Sequence, residues 1–220
     1  MQYNSWLYLF PFLGGSLILY YLLPIKRRWI GLLFSSLLFY ILTMKSLVVV
    51  VLFTTAAIYL GARVIEQFNE TFKLKKKELD RAARKELKNK TTKKIRYVIA
   101  FLCFINFGIL FVTKYFNFFG ENINALFNAL HIPAQIPFLN IFLPLGISFY
   151  TLSAISYVTD VARGVCKVER NYLRLLLFLI FFPVITEGPI SRYGQLGEEL
   201  KAEHRFDYKQ FCFGAQLITW

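Results

Sequence analysis

Histidine is almost absent from this chain. Among 220 residues only His131 and His204 occur, and neither stands in a recognisable motif, so no imidazole base announces itself. Cysteine is scarce too. Cys103, Cys166 and Cys212 are odd in number, widely spaced and free of any CxxC pattern, which excludes a disulfide framework and a zinc site. The opening MQYNSWLYLF lacks the basic n-region of a signal peptide, and its apolar run continues past signal-core length to Leu23, so it reads as a retained first span. Acidic residues are outnumbered, 13 against 26 lysines and arginines, for a net charge of +13.

What is present is apolar surface. Hydrophobic residues make up 56% and aromatics 18%, with a mean hydropathy of +0.48, too apolar for an ordinary water-soluble domain. The composition predicts an all-α fold: a polytopic integral membrane bundle embedded in a lipid bilayer, with 24 Phe and 13 Tyr filling interhelical gaps and sitting near headgroups. The positive charge is local. Thirteen of the 26 cations fall between Arg63 and Arg96, with five acids. Between membrane spans such a run is a cytoplasmic retention signal rather than a nucleic-acid surface, and anionic lipid headgroups are its expected partner.

Hydropathy predicts spans at residues 6–23, 29–43, 47–62, 95–113, 141–162 and 173–185, with a last, incomplete one at 211–220. Several are short. Residues 29–43 reach only ~22 Å as a helix against a hydrocarbon core of ~30 Å, and ten residues after Lys209 reach half a bilayer, so the chain is expected to be part of a longer protein. Residues 63–94 form a basic cytoplasmic loop, expected to lie as an exposed helix along the surface, with Asp80/Arg84 and Glu86/Lys90 at i,i+4 spacing. Residues 114–140 read as an external interfacial helix and loop, in which Phe116, Phe119, Ile123 and Phe127 alternate with Asn117, Glu121, Asn124 and Asn128 until Pro133 and Pro137. The cluster Lys26, Arg27, Arg28 places the N-terminus outside in a multi-pass cell-membrane topology, and Arg163, Lys167, Arg170 and Arg174 then fall on the cytoplasmic side as well.

Two strings within this pattern are chemically odd. The first, IFLPLGISFYTLSAISYVTDVARG (residues 141–164), is long enough to cross a bilayer yet carries Pro144, Gly146, Ser148, Tyr150, Ser153, Tyr157 and Asp160. Gly146, Tyr150, Ser153, Tyr157, Asp160 and Gly164 recur at steps of three and four, so they share one helix face. That face should meet other helices or a wet cavity, with Ile147, Leu152, Ile155 and Val158 covering the lipid side. The second string, LLLFLIFFPVITEGPISRYGQL (residues 175–196), breaks at Pro183 and continues through Glu187, Gly188, Pro189, Arg192 and Tyr193. Prolines, a glycine-proline reversal and opposite charges at membrane depth are costly unless they build something. Arg192 can pair with Glu187 or with an anionic substrate group. Asp160 can pair with Arg163 or contact an acyl donor.

LPLGISFYTLSAISYVTDVARG (residues 143–164) followed by FFPVITEGPISRY (residues 181–193) resembles the membrane-bound O-acyltransferases, and within them the bacterial alginate O-acetylation branch; a D-alanyl-lipoteichoic-acid branch is more distant. KYFNFF (residues 114–119) and the span pattern are similar as well, over essentially the whole chain, which corresponds to the N-terminal half of a member. The resemblance implies short, tilted, broken helices around a funnel. There an acyl group, acetyl in this branch, passes from a cytoplasmic thioester donor (acyl-CoA or acyl carrier protein) to a hydroxyl of an envelope polysaccharide or related polymer, with an extracytoplasmic acyl-transfer protein as a possible partner. The donor is a substrate; no bound cofactor or metal is expected. The family's histidine would lie beyond Trp220, so no catalytic residue is assigned here. Pro144, Gly146, Ser148, Tyr150, Ser153, Tyr157, Asp160, Glu187, Gly188, Pro189, Arg192 and Tyr193 are the funnel candidates. A transporter or exporter subunit and a non-catalytic scaffold are the competing readings; broken helices suit the former, though no inverted repeat is evident.

Overall fold

The computed structural model describes residues 11–44, 48–76, 80–138, 146–185 and 190–219, and among them there are helices and turns but no strand. Apolar runs without β-branched alternation become α1 (Leu13–Leu22) and α2 (Arg28–Met44), joined through Pro24, which cannot extend a helix from within. α3 (Val48–Lys75) and α4 (Arg81–Leu110) are the long pair. α4 starts where the Asp80 carboxylate accepts the Arg81 N–H at 2.7 Å. α4 then passes through a wide π-type turn (Phe111–Tyr115) into α5 (Phe116–Ala129), and α6 (Ile147–Arg163), α7 (Tyr172–Ile180) and α8 (Tyr208–Thr219) complete the order. The rods Val48–Lys75 and Arg81–Ala129 are long and apolar enough to cross a bilayer. The chain is an all-α membrane helical protein.

The core is centred on α7. Leu175 to Ile180 are all buried, which a helix achieves only when neighbours surround it. Those neighbours are α2, α3 and α6. Outside them, α1 lies on α2, where Gly31 sits against Leu23 and Leu19, and α4 lies on α3, where Gly61 sits against Leu102.

Three segments differ from the sequence expectation. Residues 63–94 do not form a separate surface helix. α3 and α4 run straight out of their apolar stretches into the basic segment, paired through Ile65 and Ile95 and by Lys94 lying 5.8 Å over the Phe68 ring. Hydrophobic pattern marked where the apolar face ends, but backbone hydrogen bonding and good helix formers carry the helix onward. Likewise residues 114–129 continue α4 instead of starting a detached interfacial helix.

The third difference is at 173–185. α7 has nine residues, ~13 Å, and the chain after it turns beside Pro183 and comes back. Ile185 lies at the start of α6, whereas Tyr193 packs beside Tyr157 and Phe178 and reaches Glu169, the residue just before α7. Among the described residues the second string is therefore folded back on itself, with Ile185 beside the head of α6 and Tyr193 beside Tyr157. Irregular backbone inside the bundle is tolerated because protein covers it: Phe182 and Ile185 are buried, and the Phe182 N–H donates to Ser36 Oγ at 3.4 Å.

The end of the bundle near Tyr193 gathers the basic clusters. The Arg28 guanidinium donates to the His204 carbonyl, Arg174 stacks 5.2 Å over Trp29, Glu66 pairs with Arg63 and Arg170 at 3.2 and 3.6 Å, and Lys201 pairs with Glu169 at 2.7 Å.

Candidate active site

α6 and the folded-back limb of the second string meet at two places. The upper junction is Gly146, in the left-handed conformation (φ +71) at the head of α6. A Cβ there would overlap the Ile185 carbonyl oxygen, so only glycine allows the two strings to touch backbone to backbone. The lower junction is the Tyr157–Tyr193 ring pair, centroids 4.8 Å apart. Between them lies a cavity of about 10 Å³ lined by Tyr150, Ser153, Ile185 and Ser191, among others, room for roughly one water.

Tyr150, Tyr157 and Asp160 turn inward, while Ser148 and Ser153 are half-buried. The Tyr150 hydroxyl lies 2.7 Å from Thr54 Oγ1 and 3.1 Å from Thr55 Oγ1. The threonine hydroxyls also reach their own helix carbonyls, Val50 and Val51, and the Tyr150 O–H lies 3.4 Å from the Val51 carbonyl, so the three hydroxyls form one buried network. Ile147 and Val158, assigned to the lipid side on periodicity, are buried too. α6 is sandwiched between α3 and α4, and a helix packed on two sides has little lipid face.

Asp160 does not pair with Arg163. Arg163 is exposed, and among the described residues no cation lies within ion-pair distance of the Asp160 carboxylate, itself only 8% exposed with its residue. The helix ends one residue after Arg163 at Gly164 (φ +75), and the Asp160 carbonyl accepts the Val165 N–H at 2.8 Å, a closure that turns the Arg163 side chain outward. Arg192 is exposed. Pro144, Glu187, Gly188 and Pro189 lie outside the described residues, as does the Arg192–Glu187 pairing.

Sequence reasoning missed the residue that ties the lower junction together. Glu169 is 7% exposed. One carboxylate oxygen accepts the Tyr193 O–H and faces Lys201 Nζ at 2.7 Å; the other accepts the Asn171 N–H at 2.9 Å. Its own N–H donates to the Tyr157 hydroxyl at 2.9 Å. Burial pushes the Glu169 carboxyl up, but Lys201, Tyr193 and the Asn171 N–H outweigh that and hold it below the ordinary carboxylate value. Burial, then the Glu169 carboxylate, pushes the Tyr193 phenol far up, so it stays protonated. One signal was available: Glu169 is the lone acid among Arg163, Lys167, Arg170 and Arg174.

Neither histidine joins these groups. His131 is exposed with φ 55, and His204 is exposed with its ring 3.0 Å from the Glu199 carbonyl. Among the described residues no three His, Cys, Asp or Glu side chains converge as metal ligands. Among the described residues the arrangement brings together tyrosine, threonine and serine hydroxyls and the Glu169 carboxylate. A larger cleft of about 540 Å³ opens at the basic end between Glu66, Asn69, Glu70 and Lys73 of α3 and the 164–170 loop.

Comparison with known proteins places this wall. The chain is 30% identical over 202 residues to the probable alginate O-acetylase AlgI of Pseudomonas aeruginosa, covering 90% of this chain and 34% of that protein. It is 35% identical over 104 residues to the probable alginate O-acetylase AlgI of Pseudomonas syringae, 46% of this chain and 18% of the relative. Over 70 residues it is 34% identical to the teichoic acid D-alanyltransferase of Bacillus subtilis, 31% of this chain and 18% of that one. The chain thus spans about a third or less of the length of these relatives. No family model and no solved structure matches it. With those similarities falling on an all-helical membrane fold, the chain is similar to part of known membrane-bound O-acyltransferases.

Proposed function

We propose that this chain forms one wall of an acyl-transfer chamber in a longer multi-pass cell-membrane protein, which moves an acetyl or similar acyl group from a cytoplasmic thioester donor, acyl-CoA or an acyl carrier protein, to a hydroxyl of an envelope polysaccharide. The observation that carries this reading is the close approach of Gly146 to the Ile185 carbonyl, which joins a hydroxyl-bearing helix to the folded-back second string. O-acyl transfer needs a base near a hydroxyl, a thioester carbonyl held close, and donors for the developing oxyanion, all shielded from bulk water. A string folded back inside the bundle gives such shielding while leaving the basic end open. Among the described residues neither histidine joins the wall, and in this reading residues 1–220 alone are expected to show no turnover.

The basic end faces the cytoplasm in this reading, with the N-terminus outside and anionic headgroups around the Arg63–Arg96 segment. An extracytoplasmic protein that hands the acyl group onward fits the opposite face. The test is acyl transfer in membranes containing a protein of the relatives' length that carries this segment, with labelled acetyl-thioester and polysaccharide acceptor. Transfer to the polymer supports the reading; transfer absent with a folded protein, or turnover by residues 1–220 alone, sinks the corresponding half of it.

A further inference from the structure

We propose that Glu169 is a positioning residue, acting through Tyr193 to hold the returning limb of the second string against α6; the statement that this serves acyl transfer rests on the function proposed above. Among described residues 190–193 Tyr193 is the buried one. Ile190 and Arg192 are exposed, Ser191 is half-buried, and Tyr193 is buried. The Tyr193 ring is wedged between Tyr157 of α6 and Phe178 of α7, 4.8 and 5.1 Å away, so its in-plane position is set by packing. How far it slides along that slot is set by its hydroxyl, and the hydroxyl ends on Glu169.

Glu169 is itself immobilised from several directions. The Asn171 N–H holds one oxygen, Lys201 holds the other, and the backbone N–H is bound to Tyr157. Lys201 also lies 4.9 Å over the Tyr193 ring and is shared with Glu198 at 3.3 Å. A buried carboxylate is unfavourable unless every lone pair finds a donor. Here the donors come from the limb, from the α7 entry and from the segment after the limb, so satisfying the charge requires all three to be in place together. An apolar residue at 169 would fill the space without coupling them. Ile185 and Ser191 line the small cavity with Tyr150 and Ser153, and a shift at Tyr193 moves the neighbouring Ser191.

The experiment uses the longer protein carrying this segment, in membranes, with Glu169→Gln, Tyr193→Phe and the double variant, each also made with Ser191→Cys on the limb. Labelling of the introduced thiol by a maleimide, located by peptide mass, should quicken about tenfold in each single variant and no further in the double, because both remove one coupling. Acyl transfer should lose about tenfold in kcat with KM within about twofold, again without additivity. Unchanged labelling in Glu169→Gln overturns the clamp whatever the enzyme does. Faster labelling with unchanged kcat, or additive losses, overturns the positioning role. If the unaltered protein transfers no acyl group, the proposed function fails and the positioning role in transfer fails with it, while labelling alone still decides the clamp.

Discussion

Gly146 and Ile185 touch through backbone alone: the glycine at φ +71 leaves no room for a Cβ beneath the isoleucine carbonyl. The contact joins the head of α6 to the turn of the folded-back limb, between residues distant in the chain and from two different strings. A helix that begins on a left-handed residue must be started by tertiary packing, since nothing local favours it. The limb's turn supplies that packing.

A graded glycine series follows from the surroundings of each site. Gly146→Ala combines left-handed strain with a backbone collision and should cost about 2–4 kcal/mol. Gly164→Ala has the same kind of φ, +75, but open space, and should cost about 1 kcal/mol. Gly14→Ala lies in α1 with nothing nearby and should gain about 0.5 kcal/mol. Thermal unfolding in one detergent ranks the three; Gly146→Ala no worse than Gly164→Ala would remove the close contact.

The hydroxyls in the core are unequal. Tyr40 is 2% exposed and its phenol oxygen has no hydrogen-bond partner among the described residues, whereas Tyr150 bonds to Thr54 and Thr55. Tyr40→Phe should therefore be neutral or stabilising by up to about 1 kcal/mol, because it deletes a buried group that gained nothing. Tyr150→Phe should lose about 1 kcal/mol. Equal losses in both variants would mean that Tyr40 has a partner, such as a bound water, that the protein structure alone does not display.

Periodicity was enough to place Tyr150, Tyr157 and Asp160 on one inward face, because steps of three and four residues report helix geometry directly. It misjudged Ile147 and Val158, since one sequence cannot say that α6 is packed on two sides. Hydropathy located the apolar part of α7 within 173–185 but not where its helix stops, at Ile180. Where a short apolar helix ends and turns depends on what Phe182 and Ile185 meet, and those partners, Ser36 and Gly146, are distant in sequence. Glu169 escaped because a lone acid among cations looks like surface charge until Tyr193 and Lys201 fold over it.

The Glu169 cluster also sets a pH dependence. Its carboxyl is held below the unperturbed value of 4.5, so its stabilisation is complete above that value and is lost as pH falls through the lower folded value. The other groups facing it are Lys201, Tyr193, Tyr157, Glu198 and Cys166. The Cys166 thiol is pushed up to about 11, by burial first and then Asp160, and the Tyr193 phenol higher still, so neither titrates in the acid range. The melting difference between the unaltered chain and Glu169→Gln should stay constant from about pH 8 to about pH 5 and close below the carboxylate range. A difference that instead opens on acidification would mean the carboxyl is raised, with burial outweighing Lys201.

The last prediction concerns the opposite end of the bundle. Asn124 on α5 grips the backbone of Ile136 with both ends of its amide: Nδ2 donates to the carbonyl at 3.0 Å and Oδ1 accepts the N–H at 2.7 Å. Gly120, one turn earlier, leaves space for the Ile136 side chain, whose Cγ2 would stand 3.5 Å from an added Cβ. Residues 132–138 have no helix or sheet to satisfy their backbone, so this paired contact is what folds them onto α5. Asn124→Asp keeps the acceptor and loses the donor; Asn124→Leu loses both. Amide hydrogen exchange at Ile136 should quicken roughly tenfold in the leucine variant and less in the aspartate variant, as expected for losing about 1.4 kcal/mol of local opening free energy. Exchange at buried α7 amides should not change in either variant, because α5 does not pack on that helix. Equal exchange at Ile136 in all three proteins would show that the segment is held by something other than the amide clasp.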